Sequence, residues 1–374
     1  MDWKNIIRVP GTTHRHTHAR TQAAIDYAAA QGIEFFTLSN YHPSGPLWPL
    51  AGGTKRDFIY RQRGYIHNGK FHDKEIDWNE VIAKWKHELP EDIQKQLPLR
   101  APEKELRLPA GVLESPNAEF HAFKDVSYLV HVCAPGSTFS AGHFDLRNKF
   151  KLKEHGYFPG CRIPWKEAFK LMLERLIIPD GGGITINHPS WSYLRHELML
   201  EMLDFDPRVL GVEVYNHSSG EADHNAWSEA QWDRILSTGR QCFGFFVPDH
   251  PGANPVWHGR NIMLVKERTA EACLRAMRQG NWYGAINNRP LSFTRIEFRD
   301  DILTAETDKK AVLLVISSQG VVRRVVGTKI SFKVDDKSRG KHVFLRVTAG
   351  EYHAPVADPQ KLFSQPFMLL PEGK

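Results

Sequence analysis

Apolar positions in this chain follow two patterns, helical spacing and short unbroken runs, which alternate from Gly11 to about Pro290. Helical spacing buries one face of a helix, whereas a short run of apolar and β-branched residues suits a strand covered on both faces. Residues 19–31 are Ala-rich with helical spacing and stop at Gly32, a natural residue for the left-handed position after a helix. Residues 33–39 then read as a buried strand. Residues 165–178 predict an amphipathic helix, followed by the Gly181-Gly182-Gly183 turn and a short strand through Asn187. Helix is expected over 195–203, strand over 209–215, helix over 223–237 with Gly239 after it, and strand over 242–247. A last helix spans 269–279, with Thr269 as N-cap and Gly280 at its end.

Alternation of this kind implies parallel strands joined by crossover helices, either as a barrel or as an open sheet. Ligands of such folds gather at the carboxyl ends of the strands. Two regions break the rhythm. Residues 43–109 are rich in Pro, Trp, Lys and Glu, with one helix expected near 78–87, and read as an inserted lid or substrate-binding segment. From Pro290 onward the helical pattern ends, and residues 311–316, 321–326, 330–334 and 343–347 are β-rich. That tail reads as a small C-terminal β-sandwich domain over 291–374, after an α/β domain over 1–290.

Composition adds little to this except in histidine. The 374 residues are 41% hydrophobic and 25% charged, an ordinary globular balance. A net charge of +6 favours an anionic small-molecule substrate, but Lys and Arg are scattered and no nucleic-acid motif occurs. Cys133, Cys161, Cys242 and Cys273 are far apart and form no C-x-x-C pair, so neither a disulfide framework nor a thiolate zinc site is indicated and buried structural thiols are expected. No stretch approaches the length of a membrane span and no secretory leader is evident, so a cytoplasmic protein is expected. The 19 histidines stand out, because many sit beside Asp, Glu or Asn at the ends of apolar runs.

Those histidines supply the candidate chemistry. In His14-Arg15-His16, residues two apart share one side of a strand, so both imidazoles can converge on one ion. Four more clusters fall at expected strand ends: Asn40 with His42, Asn187-His188-Pro189, Glu213 with Asn216, and Asp249-His250. Any one of them alone suits a cap or a core polar group, whereas all at one edge suit a metal centre. Glu119 is a candidate bridging carboxylate, with Glu114 competing. His121 and His131 compete in the same way.

With these residues in view, a family resemblance emerges. His14-Arg15-His16-Thr17, then a helix, then a strand ending in Ser39-Asn40-Tyr41-His42, resembles the polymerase-and-histidinol-phosphatase (PHP) superfamily of metal-dependent phosphoesterases. Ile186-Asn187-His188-Pro189 resembles that family's A-H-P element. The run from Gly211 to Asn216, with Asn225, Trp227, Leu236, Gly239 and Asp249-His250, resembles its carbaryl-hydrolase-like branch, and residues 274–283 extend the match. The resemblance covers residues 11–290 without the insertion. It implies a distorted (β/α)7 barrel holding two or three divalent ions, zinc, manganese or iron. It also implies His14, His16, Glu119, His131, His188 and Asp249 or His250 as ligands. The family's Asp-His pair appears here as Asn40-Tyr41, so a neutral amide replaces an anion, and either His42 substitutes for it or one metal is lost.

The expected reaction is hydrolysis by metal-activated water. A second metal ion, or a cation such as Arg15, Arg20 or Arg260, would stabilise developing negative charge, and His217 or His250 would protonate the leaving group. Trp48, Tyr60 and Trp257 are expected to wall the pocket. Three functions are compatible with this reading: a phosphoesterase, a carboxylic-ester or carbamate hydrolase, and a non-catalytic PHP binding module.

Overall fold

The computed structural model describes residues 3–15, 32–37, 39, 109–121, 123–137, 139, 163–219, 225–249, 259–286, 291–335, 338, 340–352 and 361–369. It adds helical positions 26, 29 and 30 and the short segments 65–67, 70–72, 152–153 and 156–157. The helix expected over 19–31 lies largely outside the described residues, as do most of the insertion and its expected helix. The chain divides into two compact units, Met1–Thr12 with His188–Lys374, and Thr13–Asn187.

The first unit is built on antiparallel strands. Ile7–Thr12 pairs with Gly259–Val265, which pairs with Trp282–Ile286, which in turn pairs with Lys361–Ser364. Pairing continues through Phe344–Glu351 and Ile302–Ser317 to Phe293–Arg299, and Gly320–Lys333 joins Ile302–Ser317 as a long hairpin. Alternation along the strands buries Leu313, Val315, Val347 and Ala349 in one core with Leu264, Tyr283 and Phe293. The C-terminal β-rich tail therefore shares a hydrogen-bonded path and a core with Gly259–Val265 and Trp282–Ile286, strands that the apolar pattern does not single out.

Elsewhere in this unit Val209–Asn216 runs parallel to Phe243–Val247, and all eight residues of the former are buried. Helix Ala270–Gln279 starts where Thr269 accepts a hydrogen bond from the Ala272 amide at 3.1 Å. It buries Cys273, Leu274, Ala276 and Met277, one stripe of its surface. It ends at Gly280, whose φ of +71° is left-handed and whose missing Cβ would lie 2.4 Å from the Phe243 ring.

In Thr13–Asn187, Phe35–Thr37 pairs in parallel with Leu113–Ser115. Glu119–Phe120, Val132–Cys133 and Ile184–Ile186 pair antiparallel. Helix Trp165–Glu174 buries Trp165, Ala168, Phe169, Met172 and Leu173, with Phe169 edge-on to Trp165 and Phe123.

The protein is thus a mixed α/β chain rich in sheet. The expected (β/α)7 barrel does not form: among the described residues neither unit closes a sheet on itself, and most pairings are antiparallel. Apolar alternation reports which segments are strands, but not their direction.

Candidate metal centre

Several stretches of Thr13–Asn187 meet on the buried side chain of Asn117. Its amide nitrogen donates to the Thr13 carbonyl at 2.8 Å and to Oγ1 of Thr37 at 3.2 Å. Its Oδ1 accepts from the Ala134 amide at 2.9 Å. Nearby, the Arg15 amide donates to Oγ of Ser39 at 2.7 Å, and the Ser39 amide donates to the Arg15 carbonyl at 2.9 Å. The Ser39 carbonyl then accepts from the Glu119 amide at 3.2 Å. Residues far apart in sequence are thereby held in register around Glu119.

The Glu119 carboxylate faces nitrogen. Its Oε1 lies 2.8 Å from Nδ1 of His131 and 3.5 Å from Nε2 of His14. The same oxygen accepts from Nδ2 of Asn187 at 3.2 Å, and the Asn187 amide N–H donates to the His131 carbonyl at 3.0 Å. His14 and Asn187 are 0% exposed, Glu119 is 1% and His131 is 8%. An anion so shielded from water needs a positive partner or several donors to offset its desolvation. Oδ1 of Asn187 is buried with no hydrogen-bond partner among the described residues.

These residues fit a divalent cation. Imidazole and carboxylate together suit zinc, iron and manganese. Donors around a tetrahedral ion with bonds of about 2.1 Å stand roughly 3.4 Å apart, close to the 3.5 Å between His14 and Glu119. The 2.8 Å contact of His131 is a hydrogen-bond distance. It suits an Nδ1–H donated to Glu119; once deprotonated, the same nitrogen offers a ligand atom beside the carboxylate. Glu119 and His131 each offer a ligand atom within 4.8 Å of the other.

A second polar group occupies the other unit. His188 has a φ of +29°, and its amide donates to Oε2 of Glu213 at 2.9 Å. Its Nδ1 lies 2.8 Å from Oγ of Ser192, which fixes the ring. Nδ2 of Asn216 donates both to Oε2 of Glu213, at 2.8 Å, and to Oδ2 of Asp249, at 3.0 Å. Two buried carboxylates thus converge on one amide nitrogen, while the Ser219 amide and hydroxyl hold Oδ1 of Asn216 at 3.0 and 3.1 Å. Asp249 adopts a left-handed φ of +59°, the kind of backbone strain that surrounding structure must impose.

The other candidates are placed as follows. The His121 ring is 5.3 Å from that of His131, centroid to centroid, at the rim of the first group. Glu114 is buried on the strand Leu113–Ser115, opposite Phe36. Arg15 is buried beside His14 in sequence. Nδ1 of His217 stands 3.3 Å from the Tyr215 hydroxyl. Arg260 lies on Gly259–Val265, where burial lowers its pKa. His16, Arg20, Asn40, His42, Trp48, Tyr60, His250 and Trp257 lie outside the described residues. Sequence reasoning passed over Asn117 and Ser192, each a polar residue whose role depends on long-range or turn geometry.

No protein-family model and no curated protein matches the chain. A solved structure from Bacteroides vulgatus, described as a two-domain protein containing a predicted PHP-like metal-dependent phosphoesterase, is similar at 13% identity and a TM-score of 0.44, covering 89% of this chain and 85% of the other. At that level the likeness carries no argument about this chain.

Proposed function

We propose that the protein is a metal-dependent hydrolase acting on a small phosphate ester. The observation that supports this reading is the buried Glu119 carboxylate facing the imidazoles of His131 and His14. On this reading His14, Glu119 and His131 hold one divalent ion, while His188, Asp249 and Glu213 provide donors for another. A divalent ion supplies Lewis acidity and lowers the pKa of water towards about 7. The chain's own residues orient these groups. Ser192 fixes the His188 ring, and Asn216 holds Glu213 and Asp249 together. Arg15 supplies positive charge for an anionic substrate, and His217, held by Tyr215, donates a proton to the leaving group. The choice of phosphate rests on the net charge of +6 and on the PHP-like motifs.

The test combines metal analysis of purified protein with rates on p-nitrophenyl phosphate, bis-p-nitrophenyl phosphate and p-nitrophenyl acetate. Stoichiometric metal and chelator-sensitive turnover of a phosphate substrate are expected. A preference for the acetate would instead make the protein a carboxylic-ester hydrolase. Clearly sub-stoichiometric metal with no turnover would make it a binding module.

A further inference from the structure

Two aromatic residues, Tyr193 and Trp227, belong to or are hydrogen-bonded to the turn that follows His188. Residues 188–194 form a tight turn in which the Ser192 amide donates to the His188 carbonyl at 3.0 Å and the Leu194 amide to the Pro189 carbonyl at 3.0 Å. Tyr193 in this turn has a left-handed φ of +50°, and its side chain is 73% exposed. A bulky residue rarely adopts that backbone, and burial of the ring does not account for it here. Hydrogen bonds lace the turn to a second segment. Ser190 Oγ donates to the Trp227 carbonyl at 2.6 Å, the Ser190 amide donates to Oγ of Ser228 at 3.1 Å, and Nδ2 of Asn225 donates to the Tyr193 hydroxyl at 3.5 Å.

Trp227 is held in place yet 38% exposed. Its ring meets Tyr215 edge-on at 4.8 Å, and the Lys361 ammonium lies 5.1 Å from its centroid. The Asn216 amide donates to the Ala226 carbonyl and the Ser228 amide to the Val214 carbonyl, so Trp227 is laid along the strand that carries Glu213 and Asn216.

From this arrangement we infer that Tyr193 and Trp227 receive a planar aromatic group of the substrate, the part of the ester next to the scissile bond. The inference rests on the hydrolase reading of the His188 group. Rigid aromatic walls bind another ring at little entropic cost and favour it over an alkyl group of similar size. A cationic guest is disfavoured, because Lys361 already places positive charge on Trp227.

Calorimetry on metal-loaded, full-length protein tests this with two probe pairs: phenylphosphonate against methylphosphonate, and benzamide against cyclohexanecarboxamide. The expected result is aromatic binding about 10-fold tighter than its non-aromatic counterpart, with the gap collapsing in Tyr193→Ser and Trp227→Leu while methylphosphonate affinity holds. Tyr193 is exposed, so its variant keeps the inference testable if Trp227→Leu fails to fold. Should neither phosphonate bind while the benzamide preference persists and depends on Tyr193, the aromatic subsite stands and the phosphoester reading falls. Equal affinities within both pairs, or a preference untouched by the variants, would overturn the subsite.

Discussion

Glu119 holds one carboxylate oxygen 2.8 Å from Nδ1 of His131, and the two side chains are 1% and 11% exposed. Glu119→Gln keeps the shape and a carbonyl acceptor for the ring but removes the negative charge. Metal affinity should fall by at least about 10- to 100-fold, the usual cost of losing an acidic partner at such a site, with activity falling alongside it. A chelator should lower the melting temperature of the native protein, since an ion at 100 times its Kd contributes about 2.7 kcal/mol. The variant should be nearly insensitive to chelation. Scanning fluorimetry with and without chelator checks both statements, and an equal response in the two proteins would contradict them.

Asn117 joins Thr13, Thr37 and Ala134 through three hydrogen bonds. Asn117→Ala strands a buried carbonyl and a buried N–H, each costing roughly 1–3 kcal/mol. A loss of about 2–5 kcal/mol in urea unfolding is expected, together with reduced metal occupancy, because the same bonds hold the neighbours of His14 and His131 in register. Unchanged stability would mean that water satisfies those groups without the side chain.

The ends of helix Ala270–Gln279 allow a graded comparison. Thr269→Ala removes one capping bond and should cost about 1 kcal/mol. Gly280→Ala imposes a left-handed φ on alanine and drives a Cβ to within 2.4 Å of the Phe243 ring. It should cost more, roughly 2–3 kcal/mol from strain and overpacking together. Chemical denaturation of the two variants ranks the effects, and the reverse order would refute the argument.

That helix was legible in the sequence because local chemistry decides it: a hydroxyl at one end, a glycine at the other and an apolar stripe between. The strands Val209–Asn216 and Phe243–Val247 were legible for a similar reason, as apolar runs bounded by turn residues. Strand direction was not, since it depends on which distant segment supplies the partner. The antiparallel pairing of Gly259–Val265 with both Ile7–Thr12 and Trp282–Ile286 leaves no local trace. Residue type flagged His14, Glu119 and His131. Asn117 could not be found that way, because an asparagine bridging three distant segments looks in sequence like any turn residue.

Asp206 follows helix His196–Phe205 and is bound by Arg208, whose Nε and Nη2 donate to its two oxygens at 2.8 Å each. Those hydrogen bonds hold its carboxyl below the usual value of 3.8, against the opposing effect of burial. A carboxyl depressed in the folded state stabilises the protein at pH values above its unfolded pKa. That contribution begins to fade as the pH drops past about 3.8 and is gone below the lower, folded value. Asp206→Asn should therefore lower stability near neutrality by the amount the native protein loses from this group on acidification, flattening the acid side of the profile and leaving the two proteins alike at the lowest pH. Thermal melts between pH 2 and 7 would read the slope, and parallel profiles for the two proteins would rule out a role for Asp206.

Arg346 reverses the usual arrangement of a surface ion pair. Its guanidinium is 1% exposed, whereas its partners Glu229 and Asp233 are 35% and 33% exposed. It donates to both oxygens of Asp233 at 2.8 Å and to Glu229 at 2.7 Å, and it lies 4.9 Å from the Trp232 ring. The desolvation cost therefore falls mainly on the arginine. Arg346→Met frees two carboxylates that can turn to water and keeps a flexible apolar stem against Trp232, so the loss should be modest, about 1–3 kcal/mol. The double variant Glu229→Ala/Asp233→Ala leaves a buried cation uncompensated and should cost more, about 3–5 kcal/mol. Adding Arg346→Met to that double variant should restore part of the loss, because it removes the stranded charge. Urea unfolding of the three proteins tests this ordering; a triple variant less stable than the double would mean that Arg346 acts through packing on Trp232 and not through its charge.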